Sequence, residues 1–172
     1  MPCRRSRPPK PVRRTESERA IDLAYKAVAR RDLTVAELRT RLESKQVPPE
    51  AIEDAVAELE ETGFLDDARY ARQFTEDKRE LEQWGSERIA RDLRRRGIAP
   101  QLIDEAVSTQ SRDSELRTAL LLLGQRFPEP PRDDRERDRA WQMLVRRGYS
   151  PEIAYDAIRA WERAERERRR AA

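Results

Sequence analysis

Adjacent carboxylates can pass protons in acid–base catalysis, and Asp66 and Asp67 stand side by side in the stretch Gly63-Phe64-Leu65-Asp66-Asp67-Ala68-Arg69-Tyr70-Ala71. Such a pair needs partners that the composition does not supply. The chain has no histidine and one cysteine, Cys3, so a zinc site, a Ser-His-Asp or Cys-His nucleophile and a disulfide framework all lack their parts. Neither a Gly-x-x-x-x-Gly-Lys phosphate loop nor a Gly-x-Gly-x-x-Gly turn occurs. No catalytic residue, metal ligand or cofactor is therefore expected. The chemistry left for the pair is that of a helix start. Asp66 is placed to cap the following helix, and Asp67 to sit in its first turn near the positive end of the helix dipole. Gly63 is placed to end the preceding helix, Phe64 and Leu65 to turn inward, and Tyr70, Ala71 and Phe74 to form a packing stripe.

Guanidinium groups are the other chemistry on offer. In Ser-Glu-Arg-Ile-Ala-Arg-Asp-Leu-Arg-Arg-Arg, Arg88, Arg91 and Arg95 follow helical spacings, Arg94 flanks them, and Ile89 and Leu93 mark the opposite, buried side. Arg39, Arg41 and Lys45 lie in an earlier segment with Glu37 and Glu43 interspersed, and Arg146 and Arg147 lie in a later one. These cations could meet phosphate or an acidic protein surface, or form an ordinary solvated face. Residues 1–14 carry six cations and no acid while the whole chain is +3, which leaves the remainder at −3. A body of that sign is a poor general polyanion binder, and its interspersed charges suit a protein partner of mixed charge better than bare DNA.

The elements that position these residues emerge from an internal repeat. Leu42, Leu93 and Leu144 are spaced by 51, and so are Val47, Ile98 and Tyr149, then Pro49, Pro100 and Pro151, and Ala55, Ala106 and Ala157. Each neighbourhood reads as helix, tight turn, helix. Gly97 and Gly148 can adopt the left-handed conformation just past the first helix, and proline suits the first position of the second. Gln46 replaces that glycine in the first copy, so a more strained turn is expected there. Thr34 and Glu37 have capping-box spacing. A further helix is expected before each pair, over 20–30, 68–78 and 114–126. The expected fold is all-α: an elongated, curved array of three tandem three-helix units over 17–64, 65–111 and 112–165. A disordered basic, Pro/Arg-rich tail is expected over 1–16, an exposed loop over 128–139 and a frayed end over 166–172. Trp84 and Trp161 are expected to pack between helices, and Trp141 to be exposed. With no apolar run long enough for a signal peptide or membrane helix, a soluble cytoplasmic protein is expected.

The stretch from Gly63 to Ala71 resembles the signature of the RecX family, regulators of the bacterial recombinase RecA: Gly, an aromatic, Leu or Ile, Asn or Asp, Asp, two variable residues, Tyr or Phe, and Ala. Gly85, Ile89, Leu93, Gly97 and Ile98 downstream, and Glu37, Leu38 and Leu42 upstream, resemble the patterns flanking it. The resemblance spans about residues 20–165 and is weakest in the third repeat. It implies a non-enzymatic monomer that binds the RecA nucleoprotein filament, lying in its groove and touching single-stranded DNA weakly or indirectly. The implied effect is inhibition of filament growth, ATP hydrolysis, strand exchange and co-protease activity. The competing expectation is a stand-alone DNA-binding protein that uses arginine-rich helix-turn-helix units.

Overall fold

The computed structural model describes residues 15–171. The expected tail over 1–14, Cys3 included, lies outside the described residues. Those described form α-helices joined by short turns, with no strand among them: α1 (Glu16–Val28), α2 (Val35–Glu43), α3 (Pro49–Glu61), α4 (Asp67–Glu82), α5 (Ser86–Arg95), α6 (Pro100–Val107), α7 (Arg112–Arg126), α8 (Asp134–Arg147) and α9 (Pro151–Ala171). They fall into three successive sets of three, and the chain divides into two compact units. The first contains the described residues up to Leu33 together with Glu37–Leu65. The second contains Thr34–Ala36, the entry to α2, together with the described residues from Asp66 onward.

The turn from the second to the third helix of each set is made the same way. The amide of Val47 donates to the Leu42 carbonyl, that of Ile98 to Leu93 and that of Tyr149 to Leu144; the amides of Gln46, Gly97 and Gly148 close the shorter bonds to Glu43, Arg94 and Val145. This is a Schellman closure, in which a residue with positive φ lets two free carbonyls find donors and brings two apolar side chains together. Those side chains are the repeat residues themselves: Leu42, Leu93 and Leu144 are buried, as are Val47, Ile98 and Tyr149. Full burial of each leucine contributes roughly 2 kcal/mol. Gly97 and Gly148 take φ of +79° and +90°. Gln46 is forced to +58° in the same bonding pattern, a left-handed conformation that costs a side-chain-bearing residue about 1 kcal/mol.

In the first unit α1 packs along α3, presenting Ala20, Ala24 and Ala27, small side chains that permit close approach to the buried Ala51, Ile52, Ala55, Val56 and Leu59. Thr15 and Glu18 form a reciprocal capping box at the start of α1, so the expected tail boundary at residue 16 falls inside an ordered helix start. In the second unit α4 and α5 pack on α6 around Ala71, Trp84, Ile89, Leu93, Ile98, Ile103 and Ala106, with Tyr70 and Phe74 along the side. There α7 and α8 pack on α9, and Phe127 lies 6.3 Å from Trp161. Trp84 and Trp161 are buried, whereas Trp141 is 37% exposed.

Three further sequence expectations require correction. Phe64 does not turn inward: Gly63 at φ +73° reverses the chain, the Leu65 amide reaches back to the Leu59 carbonyl, and Leu65 is buried while Phe64 is 59% exposed, packed edge-on at 5.3 Å from Tyr25. The expected loop over 128–139 is helical from Asp134, because Asp133 accepts the Glu136 amide as an N-cap and Arg137 bridges to Asp134 and Glu162. The frayed end expected over 166–172 continues α9 as far as Ala171, with Arg166, Arg168 and Arg169 each pairing with a carboxylate one turn earlier.

Candidate partner-binding surface

The carboxylate pair is split between two helices. Asp66 caps its own helix, its side chain accepting the Arg69 amide at 2.8 Å. Asp67 reaches elsewhere, and Oδ1 accepts the Val35 amide at the entry to α2 at 2.9 Å. The same arrangement recurs one repeat later: the Ser86 amide, at the entry to α5, donates to Glu115 Oε1 at 2.8 Å. In both cases an acid from the opening turns of the next set satisfies a free amide at the start of a second helix, where the dipole favours negative charge.

These caps belong to two junctions that hold α5 at both ends. At its C-terminal end the Thr34 hydroxyl donates to the Arg96 carbonyl at 2.7 Å, and Gly97 passes so close to Ala36 that an added Cβ would lie 2.3 Å from that residue's own. At its N-terminal end the Gly85 amide donates to the Arg147 carbonyl at 2.9 Å and the Glu87 amide to the Gly148 carbonyl at 3.0 Å. Here a Cβ on Gly85 would stand 2.3 Å from the Gly148 carbonyl carbon, and one on Gly148 would stand 2.2 Å from Arg88 Cβ. The Tyr149 hydroxyl donates to the Gln83 carbonyl at 3.0 Å, and burial pushes its ionisation well above the usual tyrosine range. Arg79 is threaded beneath this end, donating to the Val107 carbonyl at 2.5 Å and to Thr109 Oγ1 at 2.8 Å; desolvation lowers its pKa.

With Ile89 and Leu93 fully buried, α5 turns its arginines outward, but they are not equivalent. Arg88 is half-buried, its guanidinium 3.8 Å from the centre of the Trp84 ring, a desolvated cation–π stack. Arg95 is exposed and bridges to Asp92. Arg91 and Arg94 are exposed and pair with no described carboxylate. Elsewhere, Arg39 grips Glu53 in a two-point ion pair at 3.0 and 2.7 Å that holds the Glu53 carboxyl below its ordinary pKa. Arg41, Lys45 and Arg146 are exposed, and Arg147 donates to the Glu82 carbonyl at 2.6 Å as part of the junction. The candidate cations thus divide into an outward group of Arg41, Lys45, Arg91, Arg94 and Arg146 and a group engaged within the molecule, Arg39, Arg88, Arg95 and Arg147. Residues whose structural roles sequence reasoning missed are Glu115, Arg79 and Gln83; the last takes φ +53° to end α4. The only sequence trace of Gln83 is its place just before Trp84-Gly85.

Among the described residues no three His, Cys, Asp or Glu side chains are grouped to hold a metal ion, and no helix is long and apolar enough to cross a membrane. The family model for the RecX first three-helix domain matches residues 20–59, and that for the RecX second three-helix domain matches residues 66–107. The regulatory protein RecX of Deinococcus radiodurans is 35% identical over 154 residues, covering 89% of this chain and 74% of that one. Its counterpart in Trichlorobacter lovleyi is 34% identical over 76% of this chain and 87% of the relative. The crystal structure of RecX from Lactobacillus salivarius shares the fold, with a TM-score of 0.77 at 17% identity over 86% of this chain and 97% of that one. Relatives this similar along most of their length, together with two matched three-helix domains, place the chain in the RecX family of regulatory proteins.

Proposed function

We propose that this protein is a non-enzymatic regulator of the RecA filament on single-stranded DNA. It lies in the filament groove and holds down filament growth, ATP hydrolysis, strand exchange and co-protease activity toward the SOS repressor. It acts in the cytoplasm as a monomer. The observation that carries this reading is the α5 face, where Arg91 and Arg94 project from a helix clamped at both ends. Cations on a fixed scaffold lose little freedom when they meet a partner's carboxylates or phosphates, so more of their attraction survives as affinity. Arg41, Lys45 and Arg146 extend the same chemistry to the other sets. Acids interspersed with the first of these, and a body of net −3, favour a protein surface over naked DNA as the main contact.

The test is ATP hydrolysis by RecA already assembled on single-stranded DNA, with this protein added well below the concentrations of both RecA and DNA sites. Strong inhibition at that ratio is expected and cannot arise from covering the DNA. No inhibition up to equimolar amounts, combined with tight, steeply salt-dependent DNA binding in the absence of RecA, would instead favour the stand-alone DNA-binding reading.

A further inference from the structure

The outer faces of α8 and α9 form an open groove of about 600 Å³, lined by Arg137, Asp138, Trp141, Tyr155, Ile158, Arg159, Glu162 and Arg166. Its two rings are the feature that needs explaining. Trp141 is 37% and Tyr155 52% exposed, while Trp84 and Trp161 are buried. Large aromatics left at the surface of a chain with only 6% aromatic residues are costly in solubility and mark contact sites. The Arg159 guanidinium lies 5.5 Å from the Tyr155 ring centre and donates to its hydroxyl at 2.8 Å, which fixes the ring in place.

Charge identifies the occupant. Glu162 is already neutralised by Arg137 at 3.0 Å and Arg166 at 3.7 Å. That leaves Asp138 as the one lining carboxylate without an ion pair to a described residue. Arg159, beside it in the groove, forms no ion pair with a described residue; farther along the same stripe of α9, beyond the groove lining, Arg163 and Arg170 are exposed and likewise form none, with the exposed Glu167 between them. From Tyr155 the stripe advances by fours to Arg159 and Arg163, about 6 Å per step, commensurate with successive phosphates of an extended strand. Exposed rings beside a track of unpaired guanidiniums are the two parts of a platform for single-stranded nucleic acid, since every base offers a face to stack on and every linkage a negative charge. A uniformly acidic chain would use the arginines and offer the rings nothing to stack on.

We propose that the α8–α9 groove is a sequence-tolerant binding site for single-stranded nucleic acid, with bases stacking on Trp141 and Tyr155 and phosphates following Arg159, Arg163 and Arg170. The site is separate from the α5 face, and its test contains no RecA, so its failure leaves the filament reading untouched. The full chain is titrated with fluorescein-labelled oligothymidylate of about 16 nucleotides, the upper end of single-module site sizes, and anisotropy is read. Trp141→Ala and Tyr155→Ala should each weaken binding about tenfold, Tyr155→Phe should bind like the parent, and Asp138→Asn should bind more tightly. An abasic oligomer carrying the same phosphates should compete poorly. Circular dichroism confirms that each variant is folded, and the more exposed Tyr155 keeps the test decisive if Trp141→Ala does not fold. Three results would overturn the proposal: no binding by the parent chain, unchanged binding by folded Tyr155→Ala, or competition by polyglutamate as strong as by oligothymidylate, which would assign the groove to an acidic chain.

Discussion

The two ends of α5 are held by junctions in the same 51-residue register yet made of different material. Thr34 and Gly85 occupy equivalent positions, as do Val35 and Ser86, Arg96 and Arg147, and Gly97 and Gly148. At the C-terminal end a threonine hydroxyl crosses to the Arg96 carbonyl; at the N-terminal end that side chain is gone, and the backbone amide of Gly85 makes the equivalent bond to Arg147. Replacing a side-chain bridge by a main-chain one requires the chains to come closer. The second junction accordingly uses two glycines in mutual contact, where the first has one glycine against an alanine. The carboxylate cap changes in the opposite direction, from the short Asp67 to the longer Glu115. Register is conserved between the two junctions while the bonding groups are exchanged.

The closest approach in the second junction should be its most sensitive point. Gly85→Ala places a methyl group 2.3 Å from the Gly148 backbone, an overpacking with no flexible side chain to absorb it, and should cost about 3 kcal/mol in urea unfolding. Gly124, in α7 with nothing within 4 Å of an added Cβ, is the control. Its alanine variant should gain up to about 1 kcal/mol from reduced freedom of the unfolded chain. Equal effects at the two sites would mean that the Gly85–Gly148 approach is not a structural constraint.

The looser junction should yield less. Thr34→Val keeps the shape, removes the donor to the Arg96 carbonyl and should cost about 1–2 kcal/mol by the same measurement. The smallest effect is one of pH. The Tyr149 hydroxyl is held neutral by burial, so its native pKa lies above the unfolded value. Above the ordinary tyrosine pKa of about 10 the unfolded chain releases a proton that the native one retains, and stability should fall by up to about 1.4 kcal/mol per pH unit. Below that pH the residue contributes no slope. Tyr149→Phe should lose about 1 kcal/mol at neutral pH with the Gln83 bond, and should show a shallower decline at high pH. An unchanged slope would assign the alkaline loss to other groups.

What the sequence made legible was local and periodic. The recurring leucines and prolines, Asp66 as a cap and the burial of Trp84 and Trp161 each follow from neighbours within a turn or two. The destination of Asp67 was not legible, because Val35 is 32 residues distant and nothing in either stretch specifies the other. The sequence sends Phe64 and Leu65 inward together, but the Gly63 turn delivers only Leu65 to the core. Residues 134–139 have no apolar residue to mark a helical face, and their helix rests instead on the Asp133 cap and on ion pairs of Arg137. Among the candidate contacts, Arg39 could not be separated from Arg41 in sequence, since the ion pair to Glu53 depends on how α2 and α3 meet.

In the proposed function, a helix fixed at both ends presents Arg91 and Arg94 to the RecA filament. Inhibition of RecA ATP hydrolysis on single-stranded DNA is to be compared between the Arg91→Glu, Arg94→Glu double variant and the parent chain at the same substoichiometric concentration. Both side chains are exposed, so the variant should keep its helical circular dichroism and unfolding midpoint while inhibition falls by at least about tenfold, the loss of two charge contacts of order 1 kcal/mol each. A folded variant that inhibits as strongly as the parent would contradict the claim and remove the α5 face from the mechanism.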